Sequence, residues 1–314
     1  MKDRAYTHVA VGNFNLDVVI YVERLPEPGE TLIALDANMR PGGAATNYAA
    51  TVAQYGHRVH LVASVSSREY VKSALDELRE LGVLVDYVKV VDEDPGVVVV
   101  LVQPGGERTM LKYPGANKEL SVNDVPVELL EESHVVHMAS VSPELAMGIS
   151  KVCAKRGILV TYDPGVYVST LKDVAHSLVE NLDILFLNER EIATLSKQFK
   201  VSALFKYGLR VLVVKMGQRG AVAILPSGVC YHGSTTPIKK PVDATGAGDA
   251  FDALFNAKYI ESQDPSIALA YGVAAGALKV GYRGSFMRLD HKLLKLQLER
   301  VVVSRTLECP HKLD

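Results

Sequence analysis

The sequence predicts an α/β fold, a mainly parallel central sheet with helices on both faces. Three observations carry the prediction: short apolar runs ending in polar residues recur along the chain, helical patterns follow several of them, and glycines mark the joins. With 314 residues, nearly half of them apolar, the chain can build one large domain or a core with a small appendage.

Residues 8–14 (HVAVGNF) are the first apolar run, closed by polar residues as a buried parallel strand is. Residues 42–56 (GGAATNYAATVAQYG) read as a helix opened by two glycines and stopped by Gly56. Residues 58–64 (RVHLVAS) give the next strand. In residues 68–82, Val71, Ala74, Leu75, Leu78 and Leu81 recur at helical spacing before Gly82 ends the pattern. Further strands are expected at 134–140 (HVVHMAS), 157–163 (GILVTYD), 183–188 (DILFLN) and 210–216 (RVLVVKM), with a helix running to Arg156 between the first two. Two segments break the rhythm. Residues 17–39 and 88–113 are rich in strand and turn signals and carry no helical pattern. Pattern alone suits them equally to a small second sheet acting as a lid and to an extension of the main sheet's edge.

Composition narrows the function classes. The formal net charge is −2 and no long basic run occurs, which argues against nucleic acid or another polyanion as partner. The longest aliphatic run, residues 97–102, is too short to cross a bilayer. The apolar start is broken by Asn13, Asn15 and Asp17, unlike a signal peptide. Cys153, Cys230 and Cys309 are odd in number, far apart and without CxxC spacing, so they are expected as reduced, small, buried residues of a cytoplasmic protein.

The chemistry concentrates in residues 241–260 (PVDATGAGDAFDALFNAKYI). Gly246, Ala247 and Gly248 leave backbone amides nearly bare where a helical pattern begins, and Asp249 stands beside them. A helix N-terminus offers unsatisfied amide donors and a partial positive charge, and small residues let an anion approach them. A plain turn with an aspartate cap would produce the same four letters. No GxxxxGK[ST] occurs, and no GxGxxG follows the first strand. Amides aimed at a moving phosphoryl group, with a carboxylate facing an alcohol, would serve phosphoryl transfer. The helix terminus should lower that carboxylate's pKa and make it a weak base, which a loose transition state tolerates.

The stretch DATGAGDAF (243–251) closely resembles the signature of the ribokinase-like, or PfkB, family of sugar and nucleoside kinases. GNFNLD (12–17), LPEPGET (25–31), PGGAATN (41–47), YPGAN (113–117), NERE (188–191) and KMGQRGA (215–221) match the family in the same order along nearly the whole chain. The resemblance implies one ribokinase-like domain spanning 1–314, with a β lid from about 17–39 and 88–113 that often mediates homodimers. It implies transfer of the terminal phosphoryl of a nucleotide, expected to be ATP, to a hydroxymethyl group. By position, Asp249 looks like the catalytic base and Gly246, Ala247 and Gly248 like the anion hole. Asn15 and Asp17 match sugar-hydroxyl ligands, and Gly43 and Asn47 match the second sugar-binding loop. NERE resembles the N-x-x-E motif that organises magnesium: Asn188 near the nucleotide, and Glu191 holding Mg2+ through water. The same residues also spell a capping box. Lys215, Gly217, Gly220 and Thr245 fall where the family binds nucleotide, although a hairpin turn is the preferred account of Lys215. Asp243 matches a ligand of an activating monovalent cation, with carbonyls to come from KVGYRGS (279–285); that loop is unlike the family's usual pattern, and K+ dependence is the hypothesis the resemblance raises.

Departures from ribokinases bear on the acceptor. Ribokinases place Lys after the paired glycines and an acid near the end of the strand at 134–140; here these are Ala44 and Ala139. Both lie toward the anomeric end in ribokinase-like sites, so their loss leaves room for a substituent at C1, most simply a nucleoside base. Ribose 1-phosphate would need a cation, which Arg108 or Lys112 could supply from the lid. Free ribose, 2-keto-3-deoxygluconate and fructose 6-phosphate are alternative acceptors, and a catalytically dead sensing module is the non-enzyme reading.

Overall fold

The computed structural model describes residues 6–105, 107–154, 156–307 and 309. In chain order the strands are β1 (Thr7–Gly12), β2 (Asn15–Tyr21), β3 (Asp36–Gly42), β4 (Arg58–Val62), β5 (Ser64–Ser66), β6 (Lys89–Val91), β7 (Gly96–Val102) and β8 (Arg108–Tyr113). Then follow β9 (Val135–Ala139), β10 (Leu159–Asp163), β11 (Ile184–Asn188), β12 (Val211–Lys215), β13 (Ala221–Ile224), β14 (Cys230–Ser234) and β15 (Val302–Thr306). The first helices are α1 (Ala44–Tyr55), α2 (Glu69–Glu80), α3 (Val127–Glu131), α4 (Pro143–Cys153) and α5 (Ala175–Val179). They are followed by α6 (Glu189–Ser196), α7 (Ala203–Lys206), α8 (Ala247–Ser262), α9 (Pro265–Lys279) and α10 (His291–Leu298).

The main sheet has the order β15-β14-β13-β12-β11-β10-β9-β1-β4. From β4 to β12 every pairing is parallel, and β13, β14 and β15 extend it antiparallel. Its central strands are apolar on both faces, as burial between two helix layers requires; Ile184, Leu185, Phe186 and Leu187 of β11 are all buried. One layer packs Ile149, Leu178, Leu195 and Leu204 against the sheet. On the other face α1 and α2 supply Tyr48, Val52, Val71 and Leu78, and α8 and α9 supply Phe251, Phe255 and Leu269. Helices α8 and α9 cross closely at Gly272, where an added Cβ would lie 3.0 Å from the Phe251 ring.

A separate four-stranded sheet, β3-β2-β7-β8, forms the lid. It starts at Asn15, directly after β1, and includes β3 up to Gly42. Residues 88–91 do not belong to it: β6 pairs in parallel with β5 instead. Strand pairing, which local composition does not encode, decides that boundary. Hydrogen bonds that join lid and core include Arg108 Nη1 donating to Thr245 Oγ1 at 2.8 Å, Ser285 Oγ donating to Asp17 Oδ2, and Asn117 Nδ2 donating to Asn15 Oδ1 at 2.9 Å.

The expectation of three reduced cysteines holds for Cys153, which is buried and free. Cys230 and Cys309 instead form a disulfide, with 5.7 Å between their α-carbons. Strand β15 runs antiparallel to β14 and returns the chain end to Cys230, a proximity that the 79-residue separation conceals. No helix among the described residues is long and apolar enough to cross a membrane.

Candidate active site

Parallel strands deliver their carboxyl ends to one edge of the sheet, where helices begin. That edge carries Ala139 at the end of β9, Asp163 at the end of β10, Asn188 at the end of β11 and Lys215 at the end of β12. Helices α1 and α8 open toward it, and the link is a hydrogen bond from Asn47 Nδ2 to Asp249 Oδ2 at 2.6 Å. Asn47 Oδ1 is buried and has no partner among the described residues, leaving an acceptor for a ligand hydroxyl.

Asp249 lies in the first turn of α8, beside the bare loop. Burial raises its carboxyl from 3.8 to about 6, with the Asn47 bond and the Lys215 charge opposing. The weak base expected from the helix terminus is therefore corrected upward: desolvation is the larger effect. Gly246 adopts φ 73°, and a side chain there would collide with the Ser285 carbonyl. The Ala247 amide is taken by the Ala244 carbonyl at 3.2 Å. The amides of Gly246, Gly248 and Asp249 have no acceptor among the described residues, so of the three expected donors only that of Ala247 is occupied.

The sugar-ligand candidates converge from both sheets. Asn15 and Asp17 are buried in β2, a lid strand. Asn15 Oδ1 accepts from Asn117 Nδ2 at 2.9 Å, and Asn117 Oδ1 accepts from the Phe14 amide at 2.9 Å. Asp17 is held by Ser285, and burial raises it from 3.8 to about 6. Gly43 caps α1 at φ 100° and lies against the Asn13 carbonyl, where a Cβ would clash. Ala139 is buried in the core beside Ala45 and Phe14, and its carbonyl crowds Gly12. Across the lid, Arg40, Asp17, Val98 and Lys112 are partners in one row and so share a face. The Lys112 charge is felt by Asp17, and Arg108, four residues earlier on β8, shares that face.

Asn188 and Glu191 form the capping box in full. Asn188 Oδ1 accepts from the amides of Arg190 and Glu191 at 2.9 Å, and Glu191 Oε2 accepts from the Asn188 amide at 2.7 Å. Burial, helped by Asp163, raises Glu191 to about 7. Gly217 and Gly220 take φ 57° and 86° around the turn between β12 and β13. Lys215 pairs with Ala221 at the mouth of the β12–β13 hairpin, as the turn reading expects, and is not free to meet a nucleotide. Its Nζ donates to Asp163 Oδ2 at 2.7 Å and to Asp252 Oδ2 at 2.8 Å, which ties α8 to β10 and β12 just below Asp249. Asp243 is also engaged: Oδ1 accepts from the Thr245 amide at 2.8 Å and Oδ2 from the Gly284 amide at 2.9 Å.

Sequence reasoning passed over Asn117, Ser285, Asp163, Asp252 and Lys279. Asn117, Asp252, Lys279 and Ser285 lie inside stretches it singled out, but each has a partner remote in the chain that gives no local signal.

Comparison with known proteins gives the family. The model of the pfkB family of carbohydrate kinases matches residues 7–290. The ATP-dependent ribose-1-phosphate kinase of Halopiger xanaduensis is 30% identical over 278 residues, covering 88% of this chain and 93% of that protein. The structure of Arabidopsis thaliana ribokinase complexed with ribose and ATP superposes with a TM-score of 0.80 at 27% identity, covering 94% of this chain and 99% of that one. The nucleoside kinase of Methanocaldococcus jannaschii shares the fold, with a TM-score of 0.82 at 24% identity and coverage of 93% and 98%. A family model matched along nearly the whole chain and relatives covered almost end to end leave one assignment: the chain belongs to the pfkB family of carbohydrate kinases.

Proposed function

We propose that the protein transfers the terminal phosphoryl of ATP to the hydroxymethyl group of a ribose ring that carries a substituent at C1. The observation that carries this reading is Asp249, oriented by Asn47 and flanked by the open amides of Gly248 and Asp249. The carboxylate would accept the alcohol proton while the amides hold the migrating group. Glu191, with Oε2 occupied by its cap and a second oxygen left over, would hold Mg2+ through water; bound there, the ion would neutralise charge on the phosphates. Gly217, Gly220 and Thr245 would border the nucleotide. The outer lid face, with Met39, Leu111 and Tyr113 exposed, would support a homodimer. A cytoplasmic location matches the supply of the nucleotide.

The C1 substituent is read as phosphate, ahead of the nucleoside favoured by sequence alone. Arg108 and Lys112 share the lid face of Asp17, and the Halopiger relative at 30% identity is a ribose-1-phosphate kinase. A nucleoside is the second reading, supported by the small uncharged Ala44 and Ala139. A panel of ribose 1-phosphate, ribose, uridine, cytidine and adenosine against ATP, ADP and GTP tests both. The highest kcat/KM is expected for ribose 1-phosphate with ATP. Preference for nucleosides moves the assignment to the second reading, and preference for free ribose rejects both.

A further inference from the structure

Lys279, the last residue of α9, is fully buried, at 0% exposure. An ammonium taken out of water costs several kcal/mol unless it is held. Its Nζ donates to the backbone carbonyl of Asp243 at 3.1 Å and to that of Tyr282 at 3.2 Å. These carbonyls belong to the loop that opens α8 and the loop that follows α9. The same loops are joined by the Gly284 amide on Asp243 Oδ2 and by the Val242 amide on the Val280 carbonyl at 2.7 Å. One loop continues into the amides of residues 248 and 249; the other carries Ser285, which holds Asp17. A positive charge among convergent carbonyls thus braces both sides of the site. Compensating the α9 dipole explains only part of this, because an exposed lysine would do that without the cost of burial.

The family resemblance expects a monovalent cation at Asp243, with carbonyls from residues 279–285. The residues present do not fit one. Two carbonyls of the right segments are occupied by the ammonium, and the Asp243 carboxylate is spent on two amides, with Arg108 a further 3.9 Å away. We propose that the Lys279 ammonium stands in for the activating cation, as a positioning residue that joins the two loops, so that the enzyme works without potassium. The proposal rests on the kinase reading only for its activity readout.

The test compares kcat, KM and melting temperature in KCl, NaCl and choline chloride at equal ionic strength. The wild type is expected to show the same values in all three; activation or stabilisation by potassium overturns the proposal. Lys279→Met keeps the apolar stem and removes the charge. Its kcat is expected to fall on the order of 10²-fold through misplaced reacting groups. Potassium or ammonium, but not choline, is expected to restore turnover and raise its melting temperature, a selectivity that a merely structural role would not produce. A folded Lys279→Met that no small cation rescues overturns the proposal. Should that variant fail to fold, Lys279→Gln is read the same way. The melting arm needs no turnover, so a wrong acceptor or a failed kinase assignment is distinguishable from a wrong role for Lys279.

Discussion

Replacing Asp249 by asparagine should slow turnover sharply and stabilise the fold at once. Burial lifts this carboxyl from 3.8 to about 6, which corresponds to roughly 3 kcal/mol. The sign follows from linkage. Above the folded pKa the group is ionised in both states, and the folded state bears the whole desolvation cost. Between about 6 and 3.8 it is neutral when folded and ionised when unfolded, so the cost shrinks; below 3.8 it vanishes. Asp249→Asn should therefore gain up to about 3 kcal/mol above pH 6, or about 5 °C in Tm for a chain of this length. The amide oxygen can still accept from Asn47. Removing a base commonly costs on the order of 10²–10⁴ in rate. The assay pairs kcat/KM from pH 4 to 9 with thermal melts of both proteins. Wild-type kcat/KM should fall as pH drops through about 6. Asp17 rises to the same range, so the variant rather than the profile assigns the group. Unchanged turnover refutes Asp249 as the base; lost turnover with a lower Tm assigns the loss to structural damage.

Three further outcomes are expected. Lys215→Met strands Asp163 and Asp252 without their shared cation and should cost roughly 3–5 kcal/mol in denaturant unfolding; adding Asp163→Asn and Asp252→Asn should recover part of that. Gly246→Ala forces a side chain into φ 73° against the Ser285 carbonyl, and should cost roughly 1–3 kcal/mol and lower kcat more than calorimetric sugar affinity. Cys309→Ser opens a loop spanning 79 residues and should lose about 2–4 kcal/mol, with no further loss when reductant is added.

The parallel core was legible because strands buried on both faces are apolar throughout, as Val211–Lys215 shows up to its terminal lysine. The Asn188–Glu191 box was legible for the same reason any local device is: its partners are three residues apart. What escaped the sequence are the pairings of buried polar groups. Asp163 lies 52 residues from Lys215, and Asp17 lies 268 from Ser285, so neither partner leaves a periodic or motif signal. Nor does the sequence reveal that β6 leaves the lid, or that β15 brings Cys309 to Cys230, since both depend on which strand lies alongside.

Asn15 and Asp17 ride on β2, a strand of the lid, whereas Asn47 and Asp249 belong to the helical body. On the proposed reading, a sugar held by both sets at once would work like a pin through a hinge, so that docking the acceptor and shutting the cover would become one event. An enzyme wired in that manner would keep its donor from being wasted on solvent until an alcohol had arrived.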